Sequence, residues 1–160
     1  MTIETRAGVQ EEFGLGDWIH APLEDLDPDQ MLFWDGLKEH VFTLCHCTVC
    51  DAWYWPQTLC PNHGAIPEVG QMEWVPSSGR GTIFARVIVH QVTDPAFAGE
   101  VPYGLIVVEL EEGPLFVCRM ITKGDPYDAA IGDPVEVVYC DSDRAGHTLP
   151  LFAPVGEWTR

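Results

Sequence analysis

The sequence predicts a mainly β protein in three parts: an N-terminal arm and helix at 1–40, a cysteine-rich ribbon at 41–76 and a small antiparallel barrel at 77–160. Three observations carry this reading. Two pairs of metal-ligating residues, Cys47-x-x-Cys50 and Cys60-x-x-His63, stand nine residues apart. Downstream of Thr82, apolar residues recur with a period of two in short runs separated by turn residues. A hydrophobic share of 46% with 11% aromatics is enough for a core and excludes a disordered chain.

Residues 1 to about 26 are acidic and mixed, with no sustained period, and read as an irregular lead-in. A helix then starts at Asp27-Pro28-Asp29, with Asp as N-cap, Pro at the first position and an acid in the first turn. Met31, Trp34 and Leu37 follow three apart, Gly36 weakens the helix without ending it, and Lys38 and Glu39 face water. Packing explains Met31, Phe33 and Trp34, and Phe33 and Trp34 are also candidates for a partner interface.

Val41 to His46 leads as an extended segment into the ligand pairs. Each two-residue spacer lets a tight turn aim two ligands at one ion. Three thiolates and an imidazole make a closed tetrahedral set, which suits one structural Zn(II) and leaves no position for substrate. This is a rubredoxin-like zinc ribbon; a pair of disulfides and a chance cluster are the competing readings. Cys45 and His46 are alternative ligands, through which an iron–sulfur site is conceivable. Between the pairs, Trp53, Tyr54 and Trp55 are strand-prone, and Pro67 to Trp74 returns from the ribbon. Ser77-Ser78-Gly79-Arg80-Gly81 lacks the Lys-Ser/Thr ending and following helix of a phosphate cradle, so it reads as a connector.

In the third part, Ile83, Ala85, Val87 and Val89 alternate with Phe84, Arg86, Ile88 and His90. Further strands are expected at Tyr103 to Leu110, Leu115 to Ile121, Val135 to Cys140 and Thr148 to Phe152. Turns fall at Glu111–Pro114, Ile131–Pro134 and Asp143–Gly146. About five strands with no long helical insert predict an OB-like barrel, with an open sandwich as the alternative. Both alternating sets are apolar in places: Phe84 and Ile88 oppose the Ile83 face, and Tyr103, Leu105 and Val107 oppose the Ile106 face. An outer face of that kind calls for a cover, supplied by the ribbon or helix, by another subunit, or by both.

The 25 acidic against eight basic residues give a formal net charge of −17. No basic patch exists to displace counterions from nucleic acid or an anionic membrane, and a partner with a basic face is favoured instead. With no apolar run of transmembrane length and no signal-peptide pattern, a cytoplasmic protein is expected. No Gly-x-Ser-x-Gly elbow, His-Glu-x-x-His, dinucleotide or Walker motif occurs. Cys118 and Cys140 lie in apolar strands and read as inert buried thiols. His90 and His147 read as structural, and Glu11-Glu12 and Glu111-Glu112 as solvated charge.

Phe33-Trp34-Asp35-Gly36-Leu37, the Cys47/Cys50 and Cys60/His63 pairs, Glu73-Trp74-Val75 and Ser78-Gly79-Arg80-Gly81-Thr82 together resemble an acyl-CoA-associated family. Val101-Pro102-Tyr103, Val108-Glu109-Leu110-x-x-Gly113-Pro114, Ile131-Gly132-Asp133-Pro134-Val135 and Leu149-Pro150-Leu151-Phe152-x-Pro154 extend the resemblance over roughly residues 29 to 155. The family is filed as domain of unknown function 35, a zinc ribbon followed by an OB fold. Its commoner ligand set is four cysteines, and His63 departs from it by a substitution that zinc accepts.

The resemblance implies a noncatalytic accessory subunit that scaffolds a thiolase-superfamily enzyme and helps enclose the acyl-CoA site. It implies a thiolase-like large subunit as partner, with a β-ketothiolase or retro-aldolase acting on a bulky aromatic or steroid acyl-CoA as the leading expectation. An acetyltransferase or hydroxymethylglutaryl-CoA-synthase assembly is the alternative within the family. Outside it stand a nucleic-acid-binding ribbon-plus-OB protein, which the charge opposes, and a free-standing enzyme with catalytic zinc. Coenzyme A carries phosphates, so Arg80, Arg86 and Arg119 are the candidates to face the nucleotide or the partner. Trp53, Trp55, Phe84 and Tyr103 join Phe33 and Trp34 as candidate interface residues.

Overall fold

A computed structural model describes residues 8–63 and 71–158. The lead-in is more ordered than its sequence pattern suggests. It forms a short helix α1 (Gly8–Glu12) and a 3-10 turn at Asp17–His20. Val9, Leu15 and Ile19 are buried there, packed with Ile121, Val138, Cys140, Leu151 and Ala153 in a second apolar cluster. Elements of four and five residues are too short to display a 3.6-residue period, so their order comes from the surface they pack on.

Asp27 caps a 3-10 turn by accepting from the Asp29 N–H at 3.0 Å, and helix α2 (Met31–Lys38) follows. Its buried residues are Phe33 and Leu37, one turn apart, whereas Met31 is 39% exposed. The inward stripe therefore runs through Phe33 and Leu37, not through Met31. Gly36 reflects a close approach: a Cβ there would lie 3.0 Å from the Val41 carbonyl, and that carbon would intrude where the chain turns back past the helix.

The ribbon is a three-stranded antiparallel sheet in the order β2-β1-β3, from β1 (Thr43–Cys47), β2 (Trp53–Tyr54) and β3 (Met72–Pro76). Of the expected return segment from Pro67 to Trp74, residues 67–70 lie outside the described residues. Five strands then close a barrel in the order β4-β5-β6-β8-β7: β4 (Arg80–Val89), β5 (Tyr103–Leu110), β6 (Leu115–Met120), β7 (Pro134–Ser142) and β8 (His147–Pro154). An OB barrel closes in this way, with one parallel contact between β6 and β8. One core runs through helix, ribbon and barrel, uniting Phe33, Leu37, Phe42 and Leu44 with Ile106, Val108, Phe116 and Phe152.

The connector before the barrel is explained by contact. Gly79 has φ +66°, and a Cβ there would sit 2.5 Å from Val137. Its carbonyl accepts from the Val137 N–H at 2.8 Å. Glu112 also places a carboxylate oxygen 2.6 Å from the Ser78 N–H, where a phosphate would have to bind.

The period-two reading of β4 requires a correction. A β-bulge between Ile83 and Ala85 reverses the alternation. Ile83 points into the core at 1% exposure, but Val87, on the same set by counting, is 62% exposed. Among the described residues, no cover from ribbon or helix closes over the outer face of β4-β5-β6. Phe84, Val87, Leu105, Leu115 and Val117 are all exposed there. Among the described residues, no helix is long and apolar enough to cross a membrane.

Candidate metal centre and the groups around it

Cys47 ends β1, and its carbonyl accepts from the Asp51 N–H at 2.9 Å. That bond folds the Cys47–Cys50 spacer into a turn, with Asp51 in the left-handed region at φ 61°. The ligand atoms of Cys47, Cys50, Cys60 and His63 all lie within 4.8 Å of one another. The Cys50 and Cys60 sulfurs are 3.5 Å apart, far beyond a disulfide bond and close to the spacing of two ligands on one ion.

The donor set fits a metal. His63 Nε2 is buried and has no hydrogen-bond partner, and the sulfurs sit among donors. Asn62 Nδ2 lies 3.5 Å from Cys50 Sγ, and this hydrogen bond leads the causes that bring the Cys50 thiol down to about 7. Tyr54 Oη lies 3.4 Å from Cys60 Sγ. That contact, with burial, pushes the phenol up to about 12, so Tyr54 remains a donor to a thiolate.

Cys45 and His46 lie outside this group. Cys45 is buried, which pushes its thiol up. His46 Nε2 is 2.6 Å from Asp51 Oδ1, and its ring packs on Trp53 at 4.6 Å. Trp55 faces inward instead: its ring stands 4.1 Å from Phe33 and 5.2 Å from Phe116, joining ribbon, helix and barrel. Phe33, at 1% exposure, offers no surface to a partner, because its ring is enclosed by Trp34, Phe42, Trp55, Trp74 and Phe116. Phe84 is half exposed, and Tyr103 is half-buried under Arg119.

The three candidate arginines do not form one cluster of free cations. Arg80 is largely exposed, 3.9 Å from Glu136. Arg86 donates to the Pro126 and Tyr127 carbonyls at 3.3 and 3.0 Å. Arg119 pairs with the buried carboxylate of Glu100, and its guanidinium lies 4.1 Å from the centre of the Tyr103 ring. Glu100 also accepts from the Gly16 N–H at 2.6 Å and from Trp18 Nε1 at 2.7 Å. This clasp fastens the arm to the barrel. Neither Trp18, in an aperiodic lead-in, nor Glu100, in a loop, carries any sequence signal for it.

Cys118 and Cys140 are buried, and burial pushes both thiols up, Cys140 to about 11. Neither has the electropositive, exposed setting of a nucleophile. His147 Nε2 donates to the Ile19 carbonyl at 3.0 Å, and burial holds the ring below its ordinary value. His90 lies beside Tyr127 on the surface, 2.9 Å from its hydroxyl.

A ribbon carrying a cluster of three cysteines and one histidine in metal-ligand geometry, leading into a five-stranded OB barrel, defines the class, and comparison with known proteins gives the family. Residues 74–139 match the model described as ChsH2, C-terminal OB-fold domain. The chain is 31% identical over 108 residues to a DUF35 domain-containing scaffold protein of Methanocaldococcus jannaschii, covering 66% of this chain and 73% of that protein. The chain belongs to the DUF35 family. It is also 35% identical over 139 residues to the 3-oxo-4,17-pregnadiene-20-carboxyl-CoA hydratase alpha subunit of Mycobacterium tuberculosis, covering 74% of this chain and 39% of that one. The chain thus spans about two fifths of the length of the first curated relatives it matches. Among solved structures, a chain of the Ltp2-ChsH2(DUF35) aldolase superposes with a TM-score of 0.70 at 26% identity, covering 82% of this chain and 98% of that chain.

Proposed function

We propose that this chain is a noncatalytic accessory subunit of a thiolase-like acyl-CoA enzyme, in which a structural zinc ion stiffens the ribbon and the barrel carries the docking surface. The observation that carries the reading is the open outer face of β4-β5-β6, where Phe84, Val87, Leu105, Leu115 and Val117 stand exposed on neighbouring strands. Apolar residues contiguous on one sheet are what a subunit interface buries. Relatives described as a scaffold protein and as an alpha subunit support it, as does the likeness to a chain of an aldolase complex.

Cys47, Cys50, Cys60 and His63 would hold the zinc, and four protein ligands leave it no open position, so it serves as a staple. Trp34 and Trp53, half-buried against the core on the helix and the ribbon, remain candidates for a partner contact. Arg80 and Arg86 remain candidates to meet the partner or its ligand, Arg80 being the more exposed. A β-ketothiolase or retro-aldolase with a bulky acyl-CoA is the preferred large subunit.

Co-expression with a thiolase-like large subunit tests the proposal. The two should co-elute. Val87→Glu and Leu115→Glu, at exposed positions that leave the fold intact, should abolish co-elution and the activity that depends on it. Turnover of an acyl-CoA by this chain alone, or co-elution untouched by both substitutions, would overturn it.

A further inference from the structure

The open face of β4-β5-β6 carries two charged side chains among its paired residues, and they are not equivalent. Alternation along β5 turns Leu105, Val107 and Glu109 outward, with Ile106, Val108 and Leu110 inside. Opposite these three on β6 stand Arg119, Val117 and Leu115, and opposite Glu109 on β4 stands Thr82. Arg119 is already neutralised: it is largely buried and pairs with the buried carboxylate of Glu100. Glu109 is exposed, and among the described residues its side chain has no hydrogen bond, ion pair or other electrostatic partner. Arg80, two residues before Thr82, lies 3.9 Å from Glu136 on β7 instead.

The place of this carboxylate gives it consequence. In the sheet, β5 lies between β4 and β6. Phe84 stands exposed on the β4 side, at the bulge, and Leu115 and Val117 stand exposed on the β6 side. A surface that buries all three spans β5 and passes over Glu109. The charge then loses its hydration, and without a partner that loss opposes docking.

These groups narrow the partner by chemistry. A wholly apolar cover leaves the carboxylate uncompensated, and a second carboxylate repels it. A guanidinium or an ammonium group supplies both the opposite charge and the donors that two carboxylate oxygens accept. A second copy of this chain is a poor occupant, because each copy brings a net charge of −17. The arginine already on this face has its own anion in Glu100, so the charge still to be supplied is positive.

We propose that Glu109 is the specificity-determining charge of this face, and that the chain covering it presents an apolar surface with one arginine or lysine aimed at Glu109. The proposal rests on the accessory-subunit reading above. It adds to that reading which charge the large subunit carries and where on this chain that charge lands.

The test uses the full chain and the thiolase-like large subunit of the co-elution experiment, with the affinity of the complex read by calorimetry. Glu109→Gln keeps the shape and removes the charge, and should weaken assembly about thirtyfold, the low end of what truncating one member of a buried interfacial charge pair costs. Glu109→Leu is the deciding variant. It enlarges the apolar face, yet should weaken assembly at least as much, because the partner's cation is left buried and unpaired. Glu109→Lys should abolish co-elution. All three should melt with the wild type, since Glu109 holds nothing in place in the free chain. A Glu109→Leu chain that assembles as tightly as the wild type or more tightly overturns the proposal, and so does a Glu109→Lys chain that still co-elutes. The two readings fail separately. If Val87→Glu breaks the complex while the Glu109 variants keep it, this proposal is lost and the docking face stands. A wild-type chain that forms no complex removes both.

Discussion

The ribbon and the barrel stabilise small antiparallel sheets by different means. The ribbon has one strand of only two residues, Trp53–Tyr54, and gathers four ligand side chains at one end. The barrel closes five strands around Ile83, Ile106, Val108, Phe116 and Phe152, each at most 5% exposed. A sheet as small as the ribbon cannot cover its own apolar face. Its four gathered side chains could be stapled by a metal at one end, and α2 and the barrel hold the other, through Trp55 and Trp74 against Phe33. The ribbon is a stapled extension, and the barrel is a platform. Breaking either support alone tests whether the other survives.

The largest effect belongs to the metal. Structural zinc contributes about 10–16 kcal/mol of apparent folding free energy in small ribbon and finger peptides. Chelation, or Cys47→Ser, should unfold β1 to β3, with amide exchange there rising to that of open chain. Protection in β5, β6 and β7 should persist. Metal analysis before treatment should return about one zinc per chain, as one four-ligand site requires. Visible charge-transfer absorption would identify iron instead. Simultaneous loss of protection in the barrel would dissolve the distinction and make the chain one cooperative unit.

Next comes the barrel core. Phe116 is 5% exposed and packs against Phe42, Trp55 and Phe152. Phe116→Ala should cost about 3–5 kcal/mol through lost burial and the cavity left behind. Denaturant unfolding should show that loss with the bound metal retained at room temperature. If instead the metal dissociates, the aromatic joint between ribbon and barrel supports the ligand set as well.

The two regions were also unequally legible. The clustering of Cys47, Cys50, Cys60 and His63 could be read because two short spacers are local chemistry, independent of the rest of the fold. The five barrel strands followed from alternation and turn residues, and the bulge at Ile83/Ala85 is where the count slipped, since one extra residue exchanges inside and outside. The outer apolar face was visible as two apolar parities, but whether anything covered it was not. The arm was missed for a different reason. Val9, Leu15 and Ile19 are buried by a surface formed from residues more than a hundred positions downstream, and no local pattern records that. The same holds for Arg119, whose sequence shows a cation in a strand while its partner Glu100 and the Trp18 and Tyr103 rings arrive from three other segments.

The smallest effect is a pH dependence in this arm, which neither the metal nor the main core governs. His147 is 7% exposed and donates through Nε2 to the Ile19 carbonyl, fixing the arm to β8. Burial, then the neighbouring His20 and Lys38 charges, hold its pKa below the ordinary 6.5, and these outweigh the carbonyl contact that acts to raise it. Above 6.5 the ring is neutral whether the chain is folded or unfolded, and its linkage contributes no slope. Below 6.5 the unfolded state takes up the proton first, so stability falls with pH until the folded pKa is passed. The wild-type chain should therefore lose thermal stability more steeply than His147→Gln as pH drops from neutral through 6.5. The difference between the two slopes isolates this ring from the other histidines. Parallel slopes would place the proton elsewhere. A loss confined to α1 and the Asp17–His20 turn by amide exchange, with β4 to β6 unchanged, would make the arm a third region with its own stability.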